Sequence, residues 1–101
     1  NLLSSELPPN LGVLHNLKFL VLNSNKFHGS IPSSITNITS LVNVSLSFNA
    51  LTGKIAEGFS RSPNLTFLSL TSNKITGDIP DDLYNCSNLS TLSLQRTTSV
   101  D

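Results

Sequence analysis

The sequence predicts an α/β solenoid, a right-handed coil. Each 24-residue turn lays one short parallel strand on the inner wall and returns through a short 3₁₀ or helical turn on the convex side. Three observations carry this. Leu17, Leu41, Leu65 and Leu89 recur at one constant step, without an insertion. After each comes the alternation of a half-buried strand, as in Leu20-Val21-Leu22. Each full coil then puts an asparagine and a glycine at the same phase.

Cut at the leading leucines, the chain divides into a partial coil 1–16, full repeats 17–40, 41–64 and 65–88, and an incomplete one, 89–101. It reads as a single stack without capping units, marginally stable on its own because each coil is held chiefly by its neighbours. After Leu94 the chain continues "QRTTSVD", with Thr97 in the asparagine column, so the repeat stops being specified and the tail is expected to fray.

The columns follow in order. Leu20, Val44, Leu68 and Leu92, then Leu22, Leu46, Leu70 and Leu94, form the buried face of the strand. Asn1, Asn25, Asn49 and Asn73 stand where the chain leaves the sheet, and an amide that both donates and accepts can pair backbone groups from coil to coil. Phe27, Leu51 and Ile75 return to the core. Gly29, Gly53 and Gly77 suit a positive-φ position, and the following Ile-Pro a stiff extended stretch. Segments such as "SSITNITS" predict the short outer turn, with Leu11, Ile35, Phe59 and Leu83, and Leu14, Ile38, Ser62 and Cys86, facing inward. This is the leucine-rich-repeat pattern Leu-x-x-Leu-x-Leu-x-x-Asn-x-Leu. Ala56 departs from it, standing where Pro32 and Pro80 are found.

Composition narrows the function. Six basic and six acidic residues cancel, and no Lys/Arg cluster occurs, which argues against nucleic acid or an acidic membrane surface as partner. One cysteine builds neither a disulfide framework nor a thiolate zinc site. No apolar run is long enough to span a bilayer, so no membrane contact by this segment is expected.

The candidate chemical motifs are absorbed by the repeat. Gly53-Lys54 lacks the spaced glycine and following Ser/Thr of a phosphate loop, and Lys54 shares its column with Ser30 and Asp78. Cys86 sits in an apolar column and reads as a small buried residue. His15 and His28 fall at different phases, which supports neither metal nor acid-base work. Asp81 and Asp82 read as caps at the start of a turn. No nucleophile-base pair recurs on one face, so the chain reads as non-enzymatic, without catalytic residues, metal or cofactor.

What remains is a wall. Strand alternation predicts that Phe19, Val21, Asn23, Ser45, Ser47, Phe67, Ser69, Thr71, Thr91, Ser93 and Gln95 face outward on the concave side, flanked by Phe48. That surface is uncharged and rich in hydroxyls, suited to the backbone of an extended peptide or to a protein ligand. Four strands span about 14 Å, room for about four extended residues, so a tight site needs further coils. Asn37, Asn43, Asn64, Asn85 and Asn88 each begin an Asn-x-Ser/Thr sequon, which suggests a secretory route. A glycan on Asn43 would compete with ligand.

The phrases "NKFHGSIP" and "NKITGDIP" resemble the plant-specific class of leucine-rich repeats found in receptor kinases, receptor-like proteins and polygalacturonase inhibitors. More narrowly, the run from Leu46 to Leu94, with "LSFN", "TGKI", "NLT", "IPDD" and "NCSN" in that order, looks like a flagellin-sensing receptor serine/threonine kinase ectodomain. That resemblance implies an extracellular, apoplastic segment at the plasma membrane, acting in pattern recognition and innate immunity. It also implies a bacterial flagellin ligand on the concave face and a co-receptor kinase as second partner. A secreted inhibitor of cell-wall-degrading enzymes, or a truncated product with no independent function, are the alternatives.

Overall fold

The computed structural model describes residues 5–95. Two parallel sheets run along the stack. The first takes β1 (Phe19–Val21), β3 (Asn43–Ser45), β5 (Phe67–Ser69) and β7 (Thr91–Ser93), in the order β1-β3-β5-β7. Partners stand one full repeat apart, as Phe19↔Asn43↔Phe67↔Thr91, so the repeat period and the strand register are one quantity. Leu20, Val44, Leu68 and Leu92 point inward along these strands; Val44 and Leu68 are fully buried.

Each of the three full coils also carries a second short strand beyond the asparagine turn: β2 (His28–Ser30), β4 (Ala50–Gly53) and β6 (Lys74–Ile75) form another parallel sheet. Here the register step is 22, as in His28↔Ala50 and Thr52↔Lys74. The two-residue difference shears this sheet by about 7 Å per coil relative to the first. Gly29, Gly53 and Gly77 adopt φ of 77, 84 and 82° there. A side chain of the preceding coil lies over each: a Cβ on Gly29 would meet Glu6 Cγ at 3.2 Å, and one on Gly77 would meet Lys54 Cγ at 3.0 Å. The glycine column therefore answers both a backbone conformation and a close approach. Lys54 is exposed, its stem resting on the next coil.

The outer turns are 3₁₀, at Leu11–Val13, Ser33–Asn37, Phe59–Arg61 and Asp81–Asn85. Two of them begin after an extended proline, Pro32 at φ −61°, ψ 134° and Pro80 at φ −60°, ψ 140°. Ala56 has no ring to fix this conformation. No backbone hydrogen bond is donated by its N–H among the described residues. Ala56→Pro should therefore raise stability by about 0.4–1 kcal/mol by restricting the unfolded chain. A thermal melt checks this, and a lowered midpoint would show that this coil is not extended like its neighbours.

Asp81 and Asp82 do not cap the turn they begin; no side chain caps it. Asp82 Oδ2 instead accepts from the backbone N–H groups of Gly58 (2.8 Å) and Ser60 (3.1 Å) in the coil before. Ser34, two coils earlier, does the same for the coil before it, taking the Gly12 N–H at 3.1 Å. The first N–H groups of a 3₁₀ turn lack partners, and stacking sets the next coil's side chain against them. Asp82→Ala should cost about 0.5–2 kcal/mol, seen as a lower denaturant midpoint, whereas Asp81→Ala, whose side chain makes no such bond, should leave the midpoint in place.

Val13 and Leu14 are exposed at the first described coil, and Leu89, Leu92 and Leu94 are only partly covered at the last. Between them Ile35, Ile38, Leu41, Val44, Leu46, Leu51 and Leu68 are fully buried, so the core lies in the middle coils.

Candidate functional site: the four-strand wall

The asparagine column holds the wall's C-terminal margin. Asn49 Oδ1 accepts from the N–H groups of Asn25 and Phe27, each at 3.0 Å, while Nδ2 donates to the carbonyls of Leu22, Leu46 and Ser47. Asn73, 1% exposed, takes the Leu51 N–H at 3.1 Å and donates to the carbonyls of Leu46 and Leu70 at 2.8 and 3.1 Å. Asn25 is exposed, and among the described residues its side chain makes one bond, Nδ2 to the Asn23 carbonyl. Asn1 lies outside the described residues.

Just before each ladder asparagine the chain turns left-handed at Ser24 (φ 59°), Phe48 (61°) and Ser72 (63°). This lets the N–H groups of Ser24, Phe48 and Ser72 reach the carbonyls of Ser47, Thr71 and Gln95 in the next coil.

The expected wall residues divide into two groups. Ser45, Ser47 and Ser69 are buried, a correction to the expectation that they present free hydroxyls. Small side chains in neighbouring strands about 4.8 Å apart shade and bond one another. Ser47 Oγ and Ser69 Oγ are 2.7 Å apart, Thr71 Oγ1 pairs with Ser93 Oγ, and Ser69 Oγ donates to Thr71 Oγ1 at 3.4 Å. Ser45 Oγ donates to Asn23 Oδ1 at 2.7 Å. These hydroxyls knit coil to coil.

The other group is exposed: Phe19 (62%), Val21 (54%), Asn23, Thr91 and Gln95, with Phe67 half-buried. Phe48, 61% exposed at the margin, joins them. The surface open to a ligand is thus apolar on the β1 side, with amides and one threonine elsewhere. Asn43, between Phe19 and Phe67 in register, has its Oδ1 buried without a partner.

Of the sequon asparagines, Asn37, Asn64 and Asn85 are exposed. Asn88 is exposed too, but its Nδ2 donates to the Pro63 carbonyl at 2.8 Å. Asn43 lies on the wall.

Among the described residues no other region brings candidate reactive groups together. Cys86 is half-buried; burial, and then the charge of Asp82, push its thiol pKa above the ordinary value, which disfavours the reactive thiolate. His15 Nδ1 lies 3.0 Å from the Val13 carbonyl and His28 3.8 Å from Glu6, on separate parts of the molecule. Among the described residues, His, Cys, Asp and Glu form no group of three or more able to hold a metal, and no helix is long and apolar enough to cross a membrane.

Residues 39–98 match the Leucine rich repeat family, and residues 16–38 match a second leucine-rich-repeat profile. Receptor-like protein 39 of Arabidopsis thaliana is 40% identical over 55 residues, 54% of this chain and 6% of that protein. The structure of a TDR receptor superposes with a TM-score of 0.87 at 42% identity, covering 92% of this chain and 17% of that one. The LRR ectodomain of the plant membrane receptor kinase GASSHO1/SCHENGEN3 from Arabidopsis thaliana, in complex with CASPARIAN STRIP INTEGRITY FACTOR 2, gives 0.86 at 33% identity, covering 92% and 12%. The chain thus spans less than a fifth of the length of each. With strands paired one repeat apart, a bonded asparagine column and a family match over more than half its residues, the chain belongs to the leucine-rich-repeat family, in a form resembling the ectodomains of plant receptors.

Proposed function

We propose that this chain is part of the ligand-recognition surface of a plant leucine-rich-repeat receptor, facing the extracellular side of the plasma membrane and binding a protein or an extended peptide on the four-strand wall. The observation that carries this is the wall itself. Its side chains are uncharged, and Phe19, Val21 and Phe48 are more than half exposed while Val44, Leu46 and Leu68 beneath the wall are fully covered. Exposed aromatics on a rigid sheet are what a recognition surface retains. The solved receptor ectodomain that carries a bound partner supports the same reading.

The finer reading is a bacterial flagellin peptide as ligand, with a co-receptor kinase as second partner. Its support is the shared run from Leu46 to Leu94. Glycans on Asn37, Asn64 and Asn85, clear of the wall, fit a secreted segment.

The test is calorimetric titration of the chain with overlapping synthetic peptides that tile a bacterial flagellin, beside an equal set of scrambled peptides. Saturable binding by one tile, lost on Phe19→Ala and Val21→Ala, supports both readings. Binding by scrambled and tiled peptides alike removes flagellin. Binding that persists unchanged in both variants removes the wall.

A further inference from the structure

We propose that Asn23 is a ligand-positioning donor of this wall: its side-chain NH₂, on the face it shares with Val21 and Phe48, takes a main-chain carbonyl oxygen of an extended peptide. This rests on the reading of the wall as a ligand surface, and adds to it which atom does the reading and what it reads.

The orientation of the Asn23 amide is fixed without ambiguity. The backbone N–H of Ser47 can only donate, and the Asn23 atom it meets at 2.8 Å is therefore the oxygen. Ser45 Oγ donates to the same oxygen at 2.7 Å. Both donors come from the next coil, so the bonds that hold coil 17–40 against coil 41–64 also hold the planar amide. Nδ2 is then the free end, on an exposed side chain and with no protein acceptor among the described residues. A pre-oriented donor loses less freedom on binding than a mobile one.

The same column offers no second such group. Ser47 is buried with its hydroxyl on Ser69, and Thr71 is paired with Ser93. Gln95 is exposed, but among the described residues no hydrogen bond fixes its amide.

Phe48 supplies an independent observation. It follows Ser47, beside Asn23 in register, and holds φ at 61°. The left-handed region disfavours a bulky side chain, and the neighbouring coils place Ser24 and Ser72 there. At 61% exposure the ring adds little to this chain's core. An aromatic kept in a strained backbone position without burying itself marks a contact made with something else. Val21, 54% exposed, lies two residues before Asn23 on the same face.

A donor flanked by two apolar groups suits the main chain of an extended peptide, whose carbonyl meets the amide while adjacent side chains cover Val21 and Phe48. The three outward strand columns carry no charged residue, and Arg96, in the column of Phe48, lies outside the described residues, so a carboxylate at Asn23 would be desolvated among uncharged side chains, which favours a neutral carbonyl.

The experiment is panning a random linear peptide library on the chain, then measuring the dissociation constants of the enriched peptides for the wild type, Asn23→Asp and Phe48→Ser. Asn23→Asp keeps an oxygen for Ser47 N–H and Ser45 Oγ and deletes the donor. We expect it to bind the selected peptides at least about tenfold more weakly with a closely similar melting temperature. Phe48→Ser installs the residue of the neighbouring coils, leaves the inter-coil bonds to Asn23 untouched, and should weaken binding about fivefold without lowering the melting temperature. Peptides that bind Asn23→Asp within twofold of wild type overturn the assignment while leaving the wall reading intact if Phe48→Ser still weakens them. Peptides that bind only with a free C-terminus, and not when amidated, overturn the main-chain carbonyl. A library that yields no binder overturns the wall reading, and this proposal with it.

Discussion

Replacing Asn73 with alanine should cost about 2–4 kcal/mol. The residue is 1% exposed. Its oxygen is the acceptor for the Leu51 N–H, and its NH₂ serves the carbonyls of Leu46 and Leu70. Alanine would leave the Leu51 N–H and the Leu70 carbonyl in a dry interior without this partner, at about 1–3 kcal/mol for each that water cannot reach, while the Leu46 carbonyl keeps its bond from Asn49 Nδ2. A void the size of an amide would add to this. Asn25 provides the comparison within the same column: exposed, with one side-chain bond among the described residues, its alanine variant should lose less than about 1 kcal/mol. Urea denaturation of the two variants measures the difference. Equal losses at Asn25 and Asn73 would show that the column acts through turn propensity rather than through the bonds between coils.

The same contrast marks how much was legible in the sequence. The period, the inward leucines, the positive-φ glycines and the 3₁₀ turns are local choices repeated at a fixed step, so the sequence states each of them several times over. The second sheet is not local in that sense. His28-Gly29-Ser30 and Lys74-Ile75 have no strand alternation of their own, and they become strands because stacking places Ala50–Gly53 beside them. Nor does a column pattern show the shorter stagger of that sheet, which arises when the glycines let one coil's side chain lie over the next. The wall was legible as a face but not as a surface. Alternation puts Ser45, Ser47 and Ser69 on it, while only the contacts between strands show that their hydroxyls are occupied. Asp82 makes the same point on the outer side, since its partners, Gly58 and Ser60, stand in the coil before rather than in its own turn.

Phe59→Ala should cost about 3–5 kcal/mol, and the reason lies in a trade of volume inside one coil. The inward columns of the outer turns hold Ile35 and Ile38 in one repeat, Phe59 and Ser62 in the next, and all four are buried. In a 3₁₀ turn residues three apart nearly eclipse, so the space a serine leaves at position 62 adjoins the ring at 59. The serine is not left unsatisfied, because its Oγ donates to the Ile38 carbonyl at 2.9 Å. On this account Phe59→Ile alone opens a void, and Ser62→Ile alone overpacks the site and deletes a hydrogen bond, each at about 1–3 kcal/mol. Together they restore the pair of the preceding repeat, and the double variant should be more stable than the sum of the single losses predicts by about 0.5–3 kcal/mol. A double-mutant cycle in urea measures this coupling. Additive losses would mean that the two side chains do not share space, and that the ring is accommodated instead by the neighbouring coils.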